Sequence, residues 1–145
     1  MKGILIVAVL GIATLASLVG CGGTTTTSVK PVPTTMMRAK PAPDALLQAI
    51  ASGEKEGVGM VPVRGMVVRS DDYKKAYFVA MEFSATDIDN QVGVWVTDAI
   101  DDPSMILAVD GTAKEFAVWP AGGKTDPEFS MTSDGAEEAK AALSE

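Results

Sequence analysis

Between Val63 and Val109 the chain repeats one pattern: short runs of β-branched and aromatic residues, alternating in character and separated by polar, turn-forming stretches. No other feature restricts the fold as much, because period-two alternation belongs to strands, and short polar spacers join neighbouring antiparallel strands. Val63 to Arg69 and Ala76 to Ser84 are two such runs, divided by Ser70-Asp71-Asp72-Tyr73-Lys74-Lys75 as by a hairpin loop. In the second run Tyr77, Val79, Met81 and Phe83 share one face, and Phe78, Ala80, Glu82 and Ser84 share the other. The first face is the better core candidate. A loop through Thr86 to Asn90 leads into Val92 to Thr97, and a turn at Asp101-Asp102-Pro103 leads to Met105 to Val109. Four strands in meander order are the economical reading.

Helical spacing brackets these runs. Leu46, Leu47 and Ile50 lie on one side of a helix that starts at a capping-type Asp44 and is stopped by Gly53. Ala136, Ala139, Ala142 and Leu143 line one side of a terminal helix within Asp134 to Leu143, whose early acidic residues suit its N-terminal dipole. The stretch from Asp110 to Trp119 reads two ways. Asp110-Gly111 fits a hairpin turn and would make Thr112 to Val118 a fifth strand. A capping Asp110, Ala113, Phe116 and Ala117 at helical spacing, and a terminating Pro120 favour a helix. The expected fold is α+β, an antiparallel meander of four strands, or five, with two or three short helices packed on it.

Ahead of this domain stand Lys2, an apolar stretch from Ile4 to Val19, and the tetrapeptide Leu18-Val19-Gly20-Cys21. The apolar stretch is shorter than the roughly 20 residues of a spanning helix, and small residues at its exit give it the build of a secretory signal. The tetrapeptide resembles the lipobox of bacterial lipoproteins, and Cys21 is the only cysteine, so no disulfide within the chain is available to it. The resemblance implies a signal peptide over 1–20, cleavage after Gly20, and a diacylglyceryl thioether on Cys21 that holds the protein to a membrane facing the extracytoplasmic side. Two or three acyl chains, at about 0.8 kcal/mol per buried methylene, make such an anchor firm. Gly93-Val94-Trp95, Ala113-Lys114-Glu115-Phe116 and the ending from Ser130 to Ala139 are similar to small exported proteins of actinobacterial type.

Residues 21–43 are rich in Gly, Thr and Pro and poor in large apolar side chains, the composition of an extended, disordered tether. The domain is then 44–145, with eight Lys and Arg against nineteen Asp and Glu. That balance argues against nucleic acid as a partner, since such binding rests on a basic footprint. The basic tether, with Lys30, Arg38 and Lys40, suits an anionic surface. Partners implied are the membrane, through the lipid on Cys21, and an envelope protein or wall polymer.

The residue inventory bounds the chemistry. The chain has no His and, with Cys21 acylated, no thiol nucleophile, which removes the serine triad, the usual general base and the commonest metal ligand. No catalytic, cofactor-binding or metal-ligating residue is expected. Gly122-Gly123-Lys124-Thr125 imitates the end of a phosphate-binding loop but lacks its first Gly and is followed by Asp126-Pro127 where a helix should begin. Asp87 and Asp89, with Asp101 and Asp102, invite a calcium reading that turn chemistry explains as well. The sequence favours a non-catalytic binding module, with Tyr73, Trp119 and Lys124 as the candidate interaction surface. The alternatives are a small hydrolase or transferase working through carboxylates, and a structural subunit of an envelope complex.

Overall fold

The computed structural model describes Arg38 to Glu145. Cys21, the apolar segment before it and the tether as far as Met37 lie outside the described residues. Five antiparallel strands form one sheet in sequence order: β1 Lys40–Pro41, β2 Val61–Arg69, β3 Tyr77–Ala85, β4 Ile88–Thr97 and β5 Ile106–Ala108. Three short helices pack on it, α1 Asp44–Ala51, α2 Gly111–Phe116 and α3 Ala136–Ala142, with a 3-10 turn over Gly122–Lys124. This is the expected α+β meander, and its fifth strand lies at the N-terminal edge.

That edge corrects the boundary of the tether. Lys40 and Pro41 pair with Val67 and Met66, and the Ala42 N–H donates to the Gly65 carbonyl at 2.9 Å. Proline lacks a donor and so is tolerated on an edge strand. Part of the stretch assigned to the tether, Arg38 to Pro43, therefore belongs to the folded unit. The β3–β4 connection is also tighter than the loop expected from Thr86 to Asn90. Ala85 faces Ile88 across a two-residue turn, where Asp87 takes a left-handed φ of 63°, a conformation that Asp accepts more readily than most residues.

Both faces of the sheet are buried, which corrects the expectation of one core face. Val67, Val79, Met81, Phe83 and Trp95 pack under Leu46, Leu47 and Ile50 of α1 and Ala113 of α2. On the other face Val68, Phe78, Ala80, Val94 and Val96 pack under Ala136, Ala139 and Leu143 of α3. Covering on both sides explains why Tyr77 to Phe83 and Val92 to Val96 read almost continuously apolar. Glu82 is the exception within β3 and pairs with Arg64 on β2 at 2.6 Å.

The ambiguous segment is helical. The Asp110 carboxylate accepts the Ala113 N–H at 2.9 Å as an N-cap, and the helix ends at Phe116. Ala117 then turns extended and bridges to Glu54. In α1 the residue before the helix is Pro43, so Asp44 stands inside the first turn, where its charge meets the helix dipole, and does not cap. The α1 end is closed by Trp119, whose indole N–H donates to the Ile50 carbonyl at 2.8 Å. The ring packs against Gly53, where a Cβ would stand 2.1 Å from it, so the position tolerates only glycine without displacement. A Cβ on Gly93 would likewise meet the buried Trp95 ring at 2.4 Å.

Candidate functional site

Strand register assembles a groove at one end of the sheet. Lys40 stands opposite Val67 and Arg69 opposite Tyr77, so these four residues share the face that also carries Val79. α1 packs over this face at Gly65, where a Cβ would lie 2.5 Å from Leu47, and leaves the Arg69 end open. The result is a concavity of about 370 Å³ with Val67, Tyr77 and Ile100 as apolar lining, Arg38, Lys40 and Arg69 around it, and the Asp71 carboxylate, paired with Arg38, at its wall. Lys40 and Arg69 are exposed and Tyr77 is half-buried. Among the described residues neither of these two cations has an ion-pair partner.

Two polar networks fix the walls. Arg38 donates from Nε and Nη2 to Glu138 at 3.0 and 2.7 Å, from Nη2 and Nη1 to Asp134 at 2.9 and 3.1 Å, and from Nη1 to Asp71 at 2.7 Å. Its backbone N–H also donates to Glu138 at 2.6 Å. Planar guanidinium geometry suits such forked contacts with carboxylates. The Arg38 hydrogen bonds, helped by the Asp71 N–H at 2.7 Å, hold the Asp134 carboxyl down to about 2. The carboxylates in turn raise Arg38 above its ordinary value.

The second network belongs to the β4–β5 loop. The Asp98 carboxylate accepts the Ser104 hydroxyl and the N–H groups of Ser104 and Met105, both at 2.9 Å. The Ser104 hydroxyl above all, with the backbone donors, pulls the Asp98 pKa below its usual value. Stapling the loop in this way presents Ile100 to the groove, and Tyr77, Ile100, Asp98 and Lys75 line an adjoining concavity.

The residues singled out in the sequence are not brought together as one surface. Tyr73 packs on the α3 side of the sheet, its ring centre 4.9 Å from that of Phe129 and its hydroxyl donating to the Glu128 carbonyl at 3.4 Å. It lines a cleft of about 410 Å³ with Lys74, Lys75, Met105 and Thr125 to Pro127. Trp119 packs with the core on the opposite face, and its polar edge is used by α1. Lys124 is exposed on the 3-10 turn and lines neither concavity. After that turn Thr125 is extended, so no helix follows the Gly-Gly-Lys-Thr segment. Asp87 sits in the β3–β4 turn and Asp89 at the start of β4, while Asp101 and Asp102 lie beyond the far end of β4, so they form no common site. Among the described residues no group of three or more acidic side chains is placed to hold a metal ion.

Sequence reasoning passed over Arg69 and Tyr77, although both were visible as the last and first residues of facing strand runs. Pairing across the Ser70 to Lys75 loop is the signal that joins them. No family model, curated protein or solved structure matches the chain.

Proposed function

We propose that the protein is a lipid-anchored module on the extracytoplasmic side of a bacterial membrane, that it acts by binding and not by catalysis, and that the Tyr77 groove is its binding face. The observation that carries this reading is the groove itself: Lys40 and Arg69, without an ion-pair partner among the described residues, beside an aromatic and aliphatic lining, in a domain with an excess of carboxylates. Concave sites with mostly apolar walls and a few convergent polar groups are where small ligands and partner side chains bind. Arg38, at the groove wall, is also the residue through which the folded unit continues toward Cys21. Attachment and recognition are thus neighbours along the chain.

Membrane fractionation with intact-mass measurement of wild type and Cys21→Ala tests the attachment. Wild type is expected in the membrane fraction with acyl mass on residues 21–145, and Cys21→Ala is expected to lose both. A variant that stays as firmly on membranes, with no lipid mass on the wild type, overturns the anchoring. Comparing what co-purifies with wild type and with Arg69→Gln tests the binding face: a partner that is retained equally by both does not use the groove.

A further inference from the structure

We infer that the groove between β1, β2 and the β4–β5 loop binds the phosphate headgroup of an anionic phospholipid in the membrane that carries the protein, so that the domain docks on the bilayer by this face. The inference rests on the lipid-anchored reading for its choice of ligand, and on the groove's own chemistry for everything else.

Charge comes first. From Arg38 onward the chain has ten Lys and Arg against nineteen Asp and Glu, so a headgroup layer of the same sign repels the domain as a whole. Approach is favourable only by a face where cations are free of carboxylates. Arg64, Lys140 and Arg38 are neutralised in ion pairs. Among the described residues Lys40 and Arg69 have no carboxylate partner, and both stand on the same face of the sheet. Lys74 and Lys75 are also without an ion pair but share their cleft with Asp72, Asp98 and Asp126, Lys55 is held by the Lys114 and Glu115 carbonyls, and Lys114 and Lys124 stand singly on α2 and the 3-10 turn. Arg38 shares the wall but is engaged by three carboxylates, Asp71, Asp134 and Glu138, so the cluster is net negative; it positions the groove and leaves the anion to Lys40 and Arg69.

Shape and polarity follow. A phosphate held by an ammonium and a guanidinium leaves its glycerol and first methylenes to be covered, and Val67, Tyr77 and Ile100 offer an apolar lining for them. The phenol of Tyr77, beside Arg69 in the strand register, adds a donor for a phosphate oxygen. A concavity of about 370 Å³ is large enough for one headgroup. Connectivity supplies the last argument: with a lipid on Cys21, the 16 residues between it and Arg38 set an upper limit of a few nanometres on the distance from bilayer to groove, at about 3.1 Å per residue at most. A weak site is then continually presented to its ligand.

Amine footprinting of the full-length lipidated protein tests this, in vesicles of phosphatidylcholine alone and of phosphatidylcholine with phosphatidylglycerol. Protein added to preformed vesicles is read in parallel, so that the groove is tested even if Cys21 proves to carry no lipid mass. Lys40 labelling, normalised to Lys114 on α2, is expected to fall about threefold or more on the anionic vesicles and to recover in high salt, as a surface-charge contact does. Arg69→Gln and Tyr77→Phe are exposed or half-exposed changes, and both are expected to restore most of the labelling while tryptophan fluorescence stays native. Equal Lys40 labelling on neutral and anionic vesicles overturns the inference. So does protection in detergent by soluble glycerol phosphate at millimolar concentration, which would assign the groove to a free anion. Absence of acyl mass at Cys21 with Lys40 still protected would remove the anchoring reading and leave the headgroup site standing.

Discussion

Asp110 joins β4, α2 and α3 through one side chain. Its carboxylate, 8% exposed, accepts the Ala113 N–H at 2.9 Å, the Val94 N–H at 3.1 Å and the Lys140 ammonium at 3.1 Å. One oxygen caps α2 and secures the backbone of β4, and the other reaches α3 on the opposite face, so both layers of helices meet at this residue. Asp110→Ala leaves two backbone donors and a lysine without their acceptor, and the expected loss is roughly 2–4 kcal/mol of unfolding free energy. Asp110→Asn keeps one carbonyl oxygen for the cap and sets an amide against Lys140, so about half that loss is expected. Urea titration followed by the fluorescence of Trp95 and Trp119 measures both, and an Asp110→Ala midpoint equal to wild type would refute the argument. Gly53→Ala is the apolar counterpart. Its new methyl would displace the Trp119 ring and with it the hydrogen bond to Ile50, for an expected cost of about 1–3 kcal/mol. The capping role of Asp110 could be read from the sequence because a cap and its target lie three residues apart. Its bond to Lys140 could not, because only the sheet brings those two elements together.

At the scale of elements, the Arg38 clamp decides where the domain begins. β1 is two residues long and has no hydrophobic pattern of its own, and composition alone places it in a proline-rich tether. What recruits it is a set of ion pairs to residues 33, 96 and 100 positions away, beyond the reach of any local signal. The same distance hid half the groove, since Lys40 joins Arg69 and Tyr77 only when β1 has paired. The meander, α1, α2 and α3 were legible because each is written in local period and turn chemistry, whereas the second buried face was masked by Glu82 and Ser84 in an otherwise apolar row. The clamp makes a pH-dependent contribution whose sign is fixed. Asp134 is depressed to about 2, so its stabilisation is complete above the ordinary aspartate range and is lost as pH falls from about 4 toward 2. Arg38→Gln removes the main cause of the depression. Wild type is expected to exceed Arg38→Gln by roughly 1–2 kcal/mol at pH 6, with the gap closing as pH drops through that window. A gap that stays constant between pH 6 and pH 2.5 would show that Arg38 acts through packing alone.

For the molecule as a whole, the controlling fact is a sheet with a core on each side, built from a chain short enough that neither core is large. Phe83 lies in the α1 and α2 layer against Trp95 and Phe116, with ring centres 6.1 and 5.4 Å apart. Phe78 lies in the α3 layer, 6.2 Å from Phe129. Both are fully buried. A sheet with one solvated face would make Phe83→Ala severe and Phe78→Ala mild. Burial on both faces makes the two equivalent, at about 3–5 kcal/mol each from lost transfer energy and the cavity left behind. The sheet backbone separates the two sites and they share no helix, so their costs are expected to add to within about 0.5 kcal/mol. Domains of this size have only about 5–15 kcal/mol of stability in all, so the double variant is expected to be largely unfolded at room temperature while each single variant retains a cooperative transition at a lower urea midpoint. Parallel titrations of the four proteins decide the matter: a Phe78→Ala midpoint close to wild type would mean that α3 does not form a core of its own, and strong non-additivity would mean that the two layers act as one.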